Sequence, residues 1–499
     1  MSARYSELTS LLRRAATLRS VGELLAWDQE TMMPAKAARF RAEELAAIAE
    51  LAHQRMTEPR IGELLAECEA DRALVVDPVV AANLRDVRRD YERVRKLPPD
   101  LVAEMTRTSS LALEAWKAAR AADDFSAFRP WLERQIALAR RKAEAYGPPP
   151  GGEPYDALLE DYEPGMTAAQ LEALFGPLRD RLRPLIAELA AGDGRPTALE
   201  TLVVPQERQR ELNRFVLSRL GFDLDAGRLD VSTHPFSSGI APGDTRITTR
   251  YRDDGFLDSL GSTLHEAGHA LYEQGLPKDD GLGLPLAEPA SLGIHESQSR
   301  LWENQVGRSR AFWTWALPEA RRILGAALDP FDLDDFDRAV NRVRPSLIRV
   351  ESDEVTYNLH VLLRFDLERA LVRGDLAPAD LPGAWNDRLH ADLGLRVPDD
   401  RRGCLQDIHW SMGAFGYFPT YTLGNLYAAQ LWGAAREMLP DLEPSIARGD
   451  FSLLLGWLRR EVHAHGRRFP AGELCRRISG RPLDHAPLIG YLKAKHARP

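Results

Sequence analysis

Cysteine is scarce. The 499 residues hold three, Cys68, Cys404 and Cys475. An odd number at wide spacing makes neither a disulfide framework nor a cysteine metal cluster, and it fits a reducing, cytoplasmic location. A long hydrophobic run is missing too. The longest stretch without Asp, Glu, Lys or Arg, from Ile408 to Ala435, carries His409, Pro419, Asn425 and Gln430. Hydrocarbon is a poor home for those groups, so burial or the wall of a cleft is the better reading, with no membrane partner. There is no surplus of positive charge. Lys and Arg number 65 against 74 Asp and Glu, a net charge of −9. Bases alternate with acids, as in Arg85-Asp86-Val87-Arg88-Arg89-Asp90, which argues against a nucleic-acid platform. Met1 to Glu7 lack the apolar core of a signal peptide. Internal repeats and low-complexity tracts are absent.

What is present is a globular composition, 44% hydrophobic and 28% charged, which excludes disorder throughout. The first two hundred residues or so read as successive helices. Val80, Leu84, Val87, Tyr91 and Val94 repeat at four-three spacing, an amphipathic seam. Pro98-Pro99-Asp100 ends that helix and opens another from Leu101 to about Ala122; the two are expected to form an antiparallel hairpin. A further helix is expected over Phe128–Tyr146, followed by the break Pro148–Gly152. Near residue 228 the pattern changes. Arg228–Thr233 and Thr245–Tyr251 alternate with period two and read as an antiparallel hairpin, with Ser237–Asp244 as its turn. Helices then resume.

One helix carries chemistry. His265 and His269 lie four apart, on one face and one turn apart, so two imidazoles can hold one ion. Glu266 is rotated about 100° around the axis, off the ion but within reach of a water on it. This is the His-Glu-x-x-His arrangement of zinc metalloproteases. Asp254 and Gly275 serve as start and stop signals, and Leu257, Leu260, Leu264 and Leu271 form the buried stripe. A catalytic zinc needs a third protein ligand and one open position. Tyr272 and Gly275 stand where a metzincin has Gly and His, so the ligand should be a carboxylate. Glu273, Glu288, Glu296 and Glu303 are the candidates. Glu296 is preferred, because it opens an apparent helix after a Gly/Pro-rich loop that turns the chain back.

Other polar groups are suggestive. His234 precedes Pro235-Phe236 at the end of the first strand. Arg349 has Glu351 and Asp353 as ready surface partners. His409, Trp410, Tyr417 and Tyr421 lie in the uncharged stretch, where core packing and a low-dielectric cleft wall are competing readings.

These residues resemble the family of zinc carboxypeptidases typified by carboxypeptidase Taq. Six short motifs carry the likeness: His234-Pro235-Phe236; Asp244-Thr-Arg246-Ile-Thr248; His265-Glu266-Ala-Gly-His269; His295-Glu296-Ser297-Gln298; Ile348-Arg349-Val-Glu-Ser352-Asp353; and Gly403-Cys-Leu-Gln406-Asp407-Ile-His409-Trp410. Trp27-Asp28-Gln29 is similar to the family's opening. The likeness implies a mainly α, neurolysin-like clamp with a deep central cleft and a small antiparallel β-hairpin beside the active site. It would be one catalytic domain over residues 1–499, with an N-terminal helical lobe to about residue 150 and the working motifs within about 228–430. It implies zinc on His265, His269 and Glu296, with Co²⁺ or Mn²⁺ as possible substitutes. It implies Glu266 as general base and a homodimer that removes single residues from free peptide C-termini with broad tolerance. Tyr421 or Tyr417, with His409 or His234, would supply donors to the tetrahedral intermediate; related peptidases favour the tyrosine after the Pro-containing turn, Tyr421. Arg349 would take the substrate carboxylate, with Arg246 as the alternative, and an edge strand around Ile247 could pair with the peptide. An endopeptidase, a dipeptide-releasing enzyme and a silent peptide-binding scaffold are the competing functions.

Overall fold

A computed structural model of the chain describes residues 2–190 and 197–497. It is mainly α, with one three-stranded sheet. The four-three seam forms the helix Pro78–Lys96, which buries Leu84, Val87 and Tyr91. The helix Phe125–Tyr146 begins earlier than its apolar periodicity suggests, because Asp124 caps it by accepting from the Ala127 N–H at 3.1 Å. Among the described residues no helix is long and apolar enough to cross a membrane.

The chain divides into two compact units, neither contiguous in sequence. One comprises Met1–Val94, Pro196–Val340 and Ala428–Pro482; the other comprises Arg95–Arg195, Asn341–Tyr427 and Leu483–Pro499. The first 150 residues are thus divided between the units, and the Pro148–Gly152 break lies inside the second. The two helices expected to form a hairpin, Pro78–Lys96 and Pro99–Ala122, fall largely in different units; Pro99–Ala122 instead lies against Phe125–Tyr146.

In the first unit the N-terminal helix α1 (Ala3–Thr31) buries Tyr5, Leu8 and Leu12 against Ile61, Leu64, Leu65, Leu84 and Tyr91. Each such side chain contributes roughly 1.5–3 kcal/mol through burial. The sheet differs from the expected hairpin. Its strands are β1 (Gly227–Val231), β2 (Ser237–Ala241) and β3 (Asp244–Thr249), in the order β1-β3-β2. The antiparallel hairpin is β2 with β3, and β1 pairs with β3 in parallel. Ser237-Ser238-Gly239 has a turn's composition, yet the short link Pro242-Gly243, with Gly243 at φ 71°, folds it back onto β3. Tertiary pairing here overrides local propensity. As a consequence Ile247 is on the central strand, paired with Leu229 on one side and Ser237 on the other. The expectation of a free edge there does not hold.

Helix α2 (Phe256–Gly275) packs on β3, with the Thr249 hydroxyl donating to the Ser259 carbonyl at 3.2 Å. It starts after Gly255 with no side-chain cap, so Asp254 does not serve as the start signal. Its buried face includes Leu260, Leu264 and Leu271. Helix α3 (Leu292–Arg300) crosses it, capped by the Ser291 hydroxyl accepting from the Ile294 N–H.

The second unit holds α4 (Tyr357–Arg373) and the first turns of α5 (Pro419–Met438). The uncharged segment that leads into α5 is buried in part: Trp410, Phe415 and Phe418 are each under 5% exposed, whereas Met412 is 45% exposed.

Candidate active site

The crossing of α3 over α2 brings three donors together. His265, His269 and Glu296 each offer one ligand atom, all within 4.8 Å of one another. Glu296 Oε2 lies 3.4 Å from His269 Nε2 and 3.8 Å from His265 Nε2. Ligands about 2.0–2.2 Å from a tetrahedral ion stand about 3.4 Å apart, so the set fits a divalent cation.

The rear of each ligand is held. His265 Nδ1 donates to Glu303 Oε2 at 2.9 Å, and His269 Nδ1 donates to the His295 carbonyl at 3.1 Å. Both acceptors lack protons to give, so a neutral ring at either position turns its Nε2 lone pair toward Glu296. Glu296 is aimed likewise: its Oε1 accepts from Arg300 Nε at 2.6 Å, while Oε2 faces the imidazoles. Arg300 and Arg308 both reach Glu303, at 3.2 and 2.9 Å. Glu303 lies in a π-helical turn, Leu301–Val306, that directly continues α3.

Electrostatics follow the geometry. Burial opposes charge on Glu296 and Glu303, yet Arg300 foremost holds both carboxyls well below their usual range. Burial, helped by His295, pushes His269 down to about 4, so it is neutral and able to bind an ion. Burial pushes Glu266 up to about 7, against the lowering effect of His265. A carboxylate with raised proton affinity suits a general base.

Gly268 makes the crossing possible. A Cβ there would stand 2.5 Å from Ser299 Cα and would overlap the Gln298 carbonyl. Gly268→Ala should therefore push α3 outward and withdraw Glu296 from the histidines. Overpacking of this kind costs about 1–3 kcal/mol, and we expect metal affinity to fall about tenfold or more in competition with a chromogenic chelator. Unchanged affinity would show that the crossing has slack.

The second unit holds the other motif residues. Arg349 is 5% exposed, and its partner is Asp407 rather than Glu351 or Asp353. Nε and Nη2 donate to Asp407 Oδ1 at 3.1 and 2.9 Å, and Nη1 donates to the Tyr357 hydroxyl at 2.9 Å. Asp407 also accepts from Arg364 Nε at 2.6 Å. Burial opposes charge on Asp407, but the two guanidiniums hold its carboxyl far below the usual range. His409 Nε2 lies 3.2 Å from the Tyr421 hydroxyl, and burial pushes the imidazole down to about 4. The Tyr417 ring stands edge-on to Tyr162 at 5.2 Å. The structure thus joins the Tyr421 hydroxyl to His409, and the Tyr417 ring also packs on that imidazole, at 5.4 Å.

Beside this cluster His360 is fully buried, and burial with the two nearby guanidiniums lowers it to about 3. Its ordinary pKa is about 6.5, so the unfolded chain binds this proton below pH 6.5 while the folded chain stays neutral down to about 3. Stability from this group therefore falls as the pH falls through that window, by about 1.4 kcal/mol per pH unit. His360→Leu should flatten the fall in unfolding temperature between pH 6.5 and 4.5; an equal fall in parent and variant would contradict this.

Other expected residues lie elsewhere. His234 is exposed between β1 and β2, and its carbonyl accepts from the Ser232 hydroxyl at 2.6 Å. Arg246 is engaged: it donates twice to Asp244 and stacks 4.3 Å above Trp27, as Arg228 does at 5.0 Å. Of the rejected ligand candidates, Glu273 accepts from His295 and Lys278, Glu303 stands behind His265, and Glu288 is outside the three-donor group. Sequence reasoning missed the service of Arg300, Arg308 and Gly268 to the site. The spacing of Arg300, four after Glu296 on one helix face, was the available signal.

Comparison with known proteins gives matches over nearly the whole chain. The profile of the carboxypeptidase Taq (M32) metallopeptidase family matches residues 7–496. Thermostable carboxypeptidase 1 of Thermus thermophilus is 49% identical, over 99% of this chain and 98% of that one. Carboxypeptidase 1 of Bacillus subtilis is 37% identical, over 98% of this chain and 97% of that one. The crystal structure of the M32 carboxypeptidase from Deinococcus radiodurans R1 superposes with a TM-score of 0.95 at 41% identity, covering 99% of both chains.

Proposed function

The chain belongs to the carboxypeptidase Taq (M32) family of metallopeptidases, and from that premise we propose that it is a zinc carboxypeptidase releasing single residues from free peptide C-termini with broad side-chain tolerance. The observation that carries this reading is the three-donor set His265, His269 and Glu296, each with its rear fixed by a partner. When bound there, zinc supplies Lewis acidity toward water and the scissile carbonyl.

The chain's own residues do the rest. Glu266, with its raised proton affinity, takes the proton of the attacking water and returns it to the leaving amine. One short carboxylate serves both steps without leaving the site. Tyr421 donates a hydrogen bond to the developing oxyanion, and neutral His409 orients that hydroxyl. Arg349 takes the terminal carboxylate. Asp407 and Tyr357 engage three of its N–H groups, and a guanidinium carries five. Arg246, committed to Asp244 and Trp27, is not given that task. Elemental analysis of the purified protein tests the cofactor: one zinc per chain is expected, and a different resident metal would overturn the zinc assignment while leaving the donor set intact.

A further inference from the structure

We infer that Glu368 is the positioning residue for Tyr421, acting by way of His409: its carboxylate grips the loop that carries the imidazole at two points. The inference rests on the reading above that Tyr421 assists the reaction.

Glu368 lies on α4, one helical turn after Arg364, and is fully buried. A carboxylate so placed must be supplied with donors. Oε1 accepts from Trp410 Nε1 at 2.8 Å; Oε2 accepts from the Tyr155 hydroxyl at 2.8 Å and from the Gly416 N–H at 3.1 Å. Two of these donors belong to the loop. Trp410 directly follows His409, and Gly416 directly precedes Tyr417, so the carboxylate holds the loop on both sides of its turn at Gly413.

The backbone is shaped for this grip. Gly416 sits at φ 91°, and a Cβ there would meet Leu158 C and Leu159 N, both at 3.0 Å. Only glycine lets the chain pass so closely while its N–H points at Glu368. From the held loop, His409 presents Nε2 to the Tyr421 hydroxyl at 3.2 Å.

The chemistry of the carboxylate is specific. It accepts at both oxygens, whereas an amide accepts at one and donates at the other. With Gln at 368, an NH₂ must face either Trp410 Nε1 or the Tyr155 and Gly416 donors. One end of the grip is then lost while the side-chain volume stays the same.

The test is a double-mutant cycle of Glu368→Gln and Tyr421→Phe, reading kcat and KM on one free-acid peptide with metal content checked. Tyr421→Phe is expected to lower kcat about 10²-fold. Glu368→Gln is expected to lower kcat about 10- to 100-fold, as a misplaced group does, with little change in KM or bound metal. In the Tyr421→Phe background the same change should cost less than about threefold, because the hydroxyl it positions is gone. Equal losses in both backgrounds would overturn the inference, as would a Glu368→Gln enzyme with normal kcat. A silent Tyr421→Phe would remove the tyrosine from the reaction and this inference with it. Should Glu368→Gln fail to fold, Trp410→Phe, which deletes one donor and keeps an aromatic ring, completes the same cycle with the same outcomes.

Discussion

Glu266→Gln is expected to lower kcat on a free-acid peptide by about 10³-fold or more while the protein keeps its metal. General-base catalysis is worth about 10²–10⁴-fold, and the same group is proposed to serve also as the acid for the leaving amine. The amide matches the carboxylate in shape, so the buried site on α2 stays filled. It has no capacity to take the proton. Metal retention follows from the structure, since the ligands are oriented by Glu303, the His295 carbonyl and Arg300, with Glu266 outside that set. Steady-state kinetics with elemental analysis checks both halves. Substantial hydrolysis by the variant would remove Glu266 as the base; loss of metal would make it part of the ion's support instead.

The second large effect concerns Arg349. Arg349→Ala should cost about 10²-fold or more in kcat/KM on free-acid peptides, the scale of about 3 kcal/mol for a charge-assisted pair. It should cost far less on the same peptides with amidated C-termini, which the parent should hydrolyse poorly. The comparison separates recognition from stability, because the change also takes from Asp407 one of its two guanidinium partners among the described residues and leaves Arg364. A general loss of folding would depress both substrates alike, and so would a purely structural arginine. Arg349→Lys should recover little, since one ammonium does not match two carboxylate oxygens.

Much of this was legible in the chain itself. His265 and His269 at helical spacing define a metal face directly, and the placement of Glu296 on a returning helix follows from the loop before it. The sheet was not legible in the same way. Ser237-Ser238-Gly239 has no strand propensity of its own, and it becomes β2 only because β3 lies alongside. Pairing is set by distant neighbours, whereas helical faces are set by local period. Buried polar partnerships are harder still. The nearby sequence offers Arg349 Glu351 or Asp353 as a surface partner, yet it pairs with Asp407, many residues away in sequence. Glu368 carries no local mark at all. It lies on an α4 buried on nearly every side, and only the three donors around it reveal a role.

With a metal bound, this chain is expected to remove single residues from peptide C-termini. Mass spectrometry of a defined free-acid peptide, followed over time with and without a chelator, tests it most directly. A ladder of products is expected, each shorter than the last by one C-terminal residue, together with free amino acids. The ladder should stop with chelator and resume when zinc is restored. Internal fragments, release of dipeptides, trimming from the N-terminus or a ladder indifferent to chelator would contradict it.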